Sequence, residues 1–455
     1  MDIEQIKSMY KKWQDSLNTT YQKMWDYYTG KTDIESTYKK SRIGNNRIIK
    51  ANFIRKFINE EVAFATGNPI TYTRELSLLE ILNTVENPED NLEIKIINNV
   101  MVSNNSNVDS ELMKNLLVFG SAMELYYINN NTFKIKELNP LNCYVNLDAE
   151  GQVIDAIYVY KADKEEYIEY FDSFKIYKMD KSFNIIEEKD HYFGCCPISY
   201  CSLIDGIYNT LFTDLKALQD NIENLLSDFS NEIGDSRLSY LILKNMGLDA
   251  EEIEGLKDNS ETAAPTVKEI AETIIGNFRD NGILLISDSK EVEAKAEYLV
   301  KSINPEIHNK LFTILQDTVY QLSQHINLNE QQSSNTSGVA LMTRIIALRN
   351  KVKIQQNCMT KAIRYRLNCM FIALNKLYGK ELDKSKVGIK YTLNVPSDDA
   401  STTDIINKLV PQGILSAETG LAQLSFINNP KQELEKAKAE LEEKENMING
   451  LASGE

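Results

Sequence analysis

Ile345-Ile-Ala-Leu348-Arg-Asn-Lys351-Val352-Lys353-Ile-Gln-Gln-Asn-Cys-Met359-Thr-Lys361-Ala-Ile363-Arg364-Tyr-Arg366-Leu367-Asn-Cys-Met370-Phe-Ile-Ala-Leu374-Asn-Lys-Leu377 is the segment on which the architecture turns. Ile345, Leu348, Val352, Met359, Ile363, Leu367, Met370, Leu374 and Leu377 recur at steps of three, four and seven, which sets them along one helical stripe. From Gly338 to Gly379 there are eight Lys or Arg residues and no Asp or Glu, in a molecule whose net charge is -16. One long basic helix is the economical reading. Over that span it would run about 60 Å at 1.5 Å per residue, longer than an ordinary globular helix needs and suited to a strut in something large.

Just before it lies Asn327-Leu-Asn329-Glu330-Gln331-Gln332-Ser333-Ser334-Asn335-Thr336, a polar tract with one charge and no aromatic side chain. Such a tract cannot bury a core. Upstream, Ile307, Leu311, Ile314, Leu315, Thr318, Leu322 and Ile326 share a second helical face, and Asn304-Pro305 supplies its start signal. The resulting unit is helix, polar loop, long basic helix. The loop is either a solvated connector or a working element held by the two helices.

At 455 residues, 42% hydrophobic and 25% charged, the chain is globular by composition and long enough for two to four domains. No apolar run approaches the roughly 18 residues of a membrane span, and Met1-Asp-Ile-Glu-Gln-Ile-Lys7 lacks a signal-peptide pattern, so a soluble intracellular protein with no membrane partner is expected. Cys143, Cys195, Cys196, Cys201, Cys358 and Cys369 repeat no spacing, and reduced thiols are the default. Adjacent Cys195 and Cys196 would close a strained ring, which favours packing over a redox pair. The acidic balance argues against adhesion to nucleic acid but suits a wall past which a duplex slides.

The remaining pattern is α+β and mainly helical. Helices are expected over 2–28, 48–66, 76–84, 90–104 and 107–119, with a polar basic arm at 31–46 and an extended Ile70-Thr-Tyr-Thr73 after Gly67-Asn-Pro69. From Ser121 to about Tyr200, short β-branched and aromatic runs such as Ala122–Ile128 and Val153–Tyr160 alternate with turns, predicting an antiparallel sheet. A long amphipathic helix over 204–231 follows. Residues 241–303 carry thirteen acids against seven bases and read as a small insert, with strand-like 241–243 and 283–286 flanking a helical 265–278. Beyond the basic helix, 387–393 reads as a strand, and 401–446 as helices ending in a solvated charged run.

Catalytic signals are nearly absent. His191, His308 and His325 form no i, i+4 pair, so metal and acid–base chemistry lack their usual residues, and no cofactor is expected. Thr29-Gly-Lys-Thr32 imitates the end of a phosphate loop, but no strand leads into it. There is no Gly-rich dinucleotide fingerprint and no Gly-x-Ser-x-Gly elbow. An assembly component, not an enzyme, is the expectation.

Several stretches, in order, resemble the portal proteins of tailed bacteriophages, of the type found in siphophages and prophages of Gram-positive hosts. They are Tyr27–Lys31, Asn45-Asn46 with Asn52, Gly67–Tyr72, Phe119–Tyr126, Asn139-Pro140, Pro197-Ile198, Ser227–Glu232 and Ser337–Leu341. The resemblance implies a portal fold assembled as a ring, usually a dodecamer, with wing, stem, clip and crown regions around a DNA channel. It would make 1–203 the wing, 204–240 the first stem helix, 241–303 the clip, 304–326 the second stem helix and 327–338 the tunnel loop. The long helix and strand of 339–397 would return to the wing, and 398–455 would form the crown. Implied partners are other copies of the chain, double-stranded DNA, the terminase large subunit, a head-completion adaptor, and the major capsid and scaffold proteins. The implied location is the capsid vertex of the virion, after synthesis in the host bacterial cytoplasm.

On that resemblance, Asn329, Gln331, Gln332, Ser333, Ser334 and Asn335 would touch DNA weakly during passage. Glu330 is a departure, since the loop has no Lys or Arg for firm phosphate gripping. Arg344, Arg349, Lys351, Lys353, Lys361, Arg364 and Arg366 have two open roles, neutralising acidic faces of neighbouring subunits or facing the lumen and packaged DNA. Two rival readings remain: an adaptor built on a coiled coil along the 345–377 stripe, and a nucleotide-using enzyme.

Overall fold

The computed structural model describes residues 2–40, 45–75, 92–235, 240–244, 295–299, 304–327, 345–394 and 399–421, with short pieces as far as residue 441. The expected helices at 76–84 and 265–278, the strand at 283–286, the tract 328–344 and part of the final charged run lie outside these residues.

Two helices open the chain, α1 (Ile3–Lys12) and α2 (Asn18–Thr29), separated by one π turn at Trp13–Leu17. The sequence predicts a single helix, and the π turn is the difference. One widened turn advances the helix face out of its 3.6-residue rhythm. It lets Ile6, Met9, Tyr10 and Trp13 pack on one sheet, while the Trp13 indole donates to the Leu141 carbonyl at 2.8 Å. Helix α3 (Ile34–Thr37) is a single turn. In α4 (Phe53–Thr66), Asn52 caps the start by accepting the Arg55 N–H at 2.9 Å, which is why the helix begins later than its apolar pattern.

After β1 (Thr71–Arg74), helices α5 (Leu92–Val102) and α6 (Val108–Phe119) lead to Gly120. Its φ of 73° ends α6 in the left-handed region, and a Cβ there would stand 2.5 Å from the Gly206 carbonyl oxygen. Only glycine fits both demands.

The single meander expected over 121–200 is two sheets. Strands β2 (Ser121–Asn129) and β3 (Thr132–Leu138) join β9 (Ile198–Ser202) in the order β3-β2-β9. Strands β4 (Cys143–Leu147), β5 (Val153–Ala162), β6 (Glu165–Phe171), β7 (Lys175–Asp180) and β8 (Ile185–Asp190) form a five-stranded antiparallel meander in chain order. One face of the meander buries Ile157, Val159, Ile168, Tyr170, Tyr177 and Met179 against α1.

The long helices follow as α7 (Leu211–Asp235) and, after β10 (Tyr240–Lys244) and β11 (Lys295–Leu299), α8 (Pro305–Ser323) and α9 (Ile346–Tyr378). Strand β11 pairs antiparallel with β10; its Lys-Ala-Glu-Tyr-Leu run gave no strand signal in the sequence. Helix α9 has 33 residues, about 50 Å, and closes at Gly379, whose N–H bonds the Asn375 carbonyl at 2.7 Å. Strand β12 (Val387–Lys390) returns to pair with β1, Tyr72 opposite Ile389. Helices α10 (Asp399–Leu409) and α11 (Ala417–Leu421) follow.

The chain divides into two units, residues 1–32, 52–219 and 317–455 in one and 33–51 with 220–316 in the other. In the second unit, residues 47–51, which follow the expected polar arm and where a helix was expected from 48, are non-helical and laced to α7. Glu223, Ser227 and Asn231, buried at i, i+4 and i+8, accept the backbone N–H groups of Ala51, Ile49 and Arg47 at 3.1, 2.9 and 2.8 Å. A row of polar side chains on one helix thus satisfies an extended backbone that has no strand partner among the described residues.

Candidate functional site

The two helices that flank the polar tract in sequence are joined to each other by Lys351 and, through it, to a buried carboxylate of α4. Glu61 occurs on the apolar face of α4, in register with Ile54, Phe57, Ile58 and Ala65, and is fully buried. Lys351 Nζ donates to it at 2.7 Å and to the Ser323 carbonyl at 3.2 Å, and Gln355 Nε2 donates to its other oxygen at 2.6 Å. One lysine therefore holds both the last turn of α8 and the first turns of α9.

His325 sits in the same cluster. Its Nδ1 bonds the Ser323 carbonyl at 2.9 Å, its ring packs 4.3 Å from the Phe57 ring, and its Nε2 lies 3.8 Å from both Glu60 and Glu61. Burial, reinforced by Lys351 and Lys56, pushes the imidazole down to about 3. Backbone hydrogen bonds at Ser323 and Phe57 oppose the shift, while the two carboxylates stand beyond hydrogen-bond reach. His325 is therefore neutral at ordinary pH.

Farther along α9, Arg366 is fully buried. Its Nε and Nη2 donate to the two oxygens of Glu124 at 3.0 and 2.6 Å, and Nη1 donates to Asp109 at 2.7 Å. Tyr126 donates to Glu124 at 2.8 Å and stands 2.8 Å from the Ser199 hydroxyl. Burial opposes the charge on Arg366, yet Glu124 and Asp109 outweigh it and hold the guanidinium protonated. Burial also pushes the Glu124 carboxyl up, with Arg366 opposing; the two-pronged geometry fits an ionised pair.

Two of the basic residues singled out in the sequence make ion pairs within this chain: Arg366 is fully buried on Glu124 and Asp109, and Lys351, partly exposed, donates to Glu61. Lys361 and Arg364 donate to the Gly151 and Val387 carbonyls at 2.7 and 2.6 Å but remain exposed residues. Lys353 lies 5.9 Å from the Tyr391 ring centre, and Arg349 is exposed. Arg344 and the loop residues Asn329, Gln331, Gln332, Ser333, Ser334 and Asn335 lie outside the described residues.

The sequence reading missed Glu61, Glu124, Asp109 and His325. A signal for Glu61 was present, since a carboxylate at an inward position of an amphipathic helix needs a buried cation. The coiled-coil reading also meets an obstacle. The stripe from Leu348 to Leu374 is buried against the chain's own elements, together with Gln355, Gln356 and Arg366 at adjoining positions, so it is not free to pair with a second helix.

Helix α8 has the opposite character. Leu315, Val319, Tyr320 and Ser323 are buried, whereas Ile307, Leu311, Ile314 and Leu322 are 64, 41, 54 and 52% exposed. Steps of four, three and eight set those four along one face. An apolar stripe of this kind on a surface marks a contact site. Among the described residues no cluster of His, Cys, Asp and Glu could hold a metal, and no helix is long and apolar enough to cross a membrane.

The family model for phage portal proteins of the SPP1 Gp6-like type matches residues 10–447. The chain belongs to that family. A portal protein of Bacillus phage SPP1 is 23% identical over 436 residues, covering 90% of this chain and 79% of that relative. Among solved structures, a chain from the neck of an empty gene transfer agent particle, computed with C6 symmetry, aligns with a TM-score of 0.48 at 11% identity. That alignment covers 86% of this chain and 93% of the other. A chain from the virion of a native gene transfer agent particle aligns at 0.45, again at 11% identity, over 90% and 94% of the two chains. The family assignment rests on the match along almost the whole sequence. Portal proteins are structural, and that membership sets aside both the enzyme and the coiled-coil adaptor readings.

Proposed function

We propose that copies of this portal protein close into a ring, with twelve subunits as the expected number, at the vertex of a phage capsid, and that double-stranded DNA passes through its axis during packaging and ejection. Residues 204–240 and 304–326 are the stem helices, 241–303 the clip, 327–338 the tunnel loop, 1–203 and 339–397 the wing, and 398–455 the crown. The clip docks the terminase large subunit and later the head-completion adaptor, while the outer regions meet the major capsid and scaffold proteins. Synthesis takes place in the host bacterial cytoplasm.

The observation that supports this reading is the apolar stripe of α8. A helix buried on one face and apolar on another needs a second surface, and a neighbouring copy of the same chain supplies it. The exposed cations Arg349, Lys353, Lys361 and Arg364 then meet acidic faces of adjacent copies, in keeping with the net charge of -16. In the tunnel loop, amides and hydroxyls of Asn329, Gln331, Gln332, Ser333, Ser334 and Asn335 touch the DNA backbone. Each bond contributes only about 1 kcal/mol net, which permits sliding.

The test is the pair Ile307→Asp and Leu311→Asp, introduced together. Native mass spectrometry gives a closed oligomer for the unaltered chain and isolated subunits for the variant, with helix content preserved. Equal assembly of both would remove the support that α8 provides.

A further inference from the structure

Cys195, in the bend between β8 and β9, and Cys369, on the C-terminal half of α9, are 174 residues apart in sequence and bring their sulfur atoms within 3.9 Å. Their environments differ. Cys195 is partly exposed and Cys369 is buried, so a reagent in solution reaches one sulfur of the pair. Cys196, the sequence neighbour, is turned away, with its Sγ 3.7 Å from the Phe171 carbonyl, while the Tyr365 hydroxyl donates to the Cys196 carbonyl at 2.7 Å and fixes the bend. Cys195 therefore faces α9 and not Cys196.

The thiols also differ in acidity. Burial pushes Cys143, Cys196, Cys201 and Cys358 up. Cys195 is lowered to about 7, chiefly because the Cys369 thiol donates to it, with burial opposing and Tyr365 and Lys384 assisting. The first thiolate to form is on the reachable sulfur.

We propose that Cys195 and Cys369 are a dithiol–disulfide couple, with Cys195 the attacking thiolate and Cys369 the resolving thiol, that takes a low-molecular-weight disulfide of the glutathione class as oxidant and ties α9 covalently to the segment entering β9. The Cys195 thiolate attacks one sulfur of the small disulfide, whose S–S bond breaks; one thiolate leaves and is protonated by water. Cys369 then gives up its proton and attacks the Cys195 sulfur, expelling the second small thiolate, which is protonated in turn. Two protein thiols are oxidised by two electrons, and one small disulfide is reduced to two thiols. A reducing medium keeps the pair open, and an oxidising medium closes it. The couple lies within one unit of the chain and does not depend on ring formation.

The protein is incubated with oxidised glutathione and then unfolded in denaturant, where free thiols are alkylated, and peptides are mapped without reduction. The expected result is a Cys195–Cys369 cross-linked peptide, the other four cysteines alkylated, and an unfolding temperature raised by roughly several degrees. Cys369→Ser is expected to stop at a stable glutathione adduct on Cys195, and Cys195→Ser to leave Cys369 free. Six alkylated thiols in the unaltered chain after this treatment, or a link from Cys195 to Cys196 or to another chain, would overturn the proposal.

Discussion

Arg366 Nη2 stands 2.6 Å from Glu124 Oε1, with both side chains fully buried, joining the middle of the longest helix to the central strand of the β3-β2-β9 sheet. An ion pair of this kind is weak evidence of net stabilisation, but it is costly to break on one side, because the remaining charge stays buried and unpaired.

Replacing Arg366 with Met is expected to cost about 3–5 kcal/mol of unfolding free energy, and Glu124→Leu a comparable amount. The double variant Arg366→Met with Glu124→Leu is expected to recover much of the loss, since Asp109 is partly exposed and can be hydrated. Urea unfolding of the four proteins measures the coupling. Additive losses would mean that the two groups act independently.

Lys351 and Lys353 are two residues apart and separate the interior role of α9 from its exterior role. Lys351→Glu would set a second carboxylate beside buried Glu61 and is expected to cost about 3–5 kcal/mol. Lys353→Glu loses only a ring contact on an exposed residue and is expected to cost less than about 1 kcal/mol. Thermal unfolding of the two variants tests this difference, and equal destabilisation would contradict it.

His325 links stability to pH. Its pKa falls from 6.5 to about 3 on folding, chiefly through burial. Below pH 6.5 the unfolded chain therefore binds a proton that the folded chain does not. This contribution is complete above pH 6.5 and is lost as pH falls toward about 3, by up to about 1.4 kcal/mol per pH unit. Burial of His191 adds a contribution of the same sign. His325→Phe is expected to flatten the decline of unfolding free energy between about pH 6.5 and 4.5. An unchanged slope would assign the decline to other groups.

Much of the fold is legible in the sequence because periodicity reports burial. The stripe of α9, the strands from Ser121 to Tyr200 and the stop at Gly120 follow from residue spacing and turn chemistry alone. What the spacing cannot give is pairing across long separations. Tyr72 meets Ile389 in a two-stranded sheet, and Arg47 meets Asn231, without any local pattern that announces it. The π turn at Trp13–Leu17 escapes for a related reason, since the sheet face it serves lies more than a hundred residues away.

The basic character of α9 was visible, but its meaning was not. A charge count gives the number of cations; it does not identify those with a carboxylate waiting in the interior. Glu61 and Glu124 supply that information, each standing at an inward position among apolar neighbours. Of the basic residues singled out, Arg366 belongs to the interior, Lys351 is half-buried on Glu61, and Arg349, Lys353, Lys361 and Arg364 occupy exposed positions.

Electron microscopy of the purified protein is the direct test of ring closure. Closed rings of identical subunits with an axial opening wide enough for a DNA duplex are expected. Particles that stay monomeric at every concentration, under conditions in which the chain is folded, or rings whose axis is filled, would contradict this expectation.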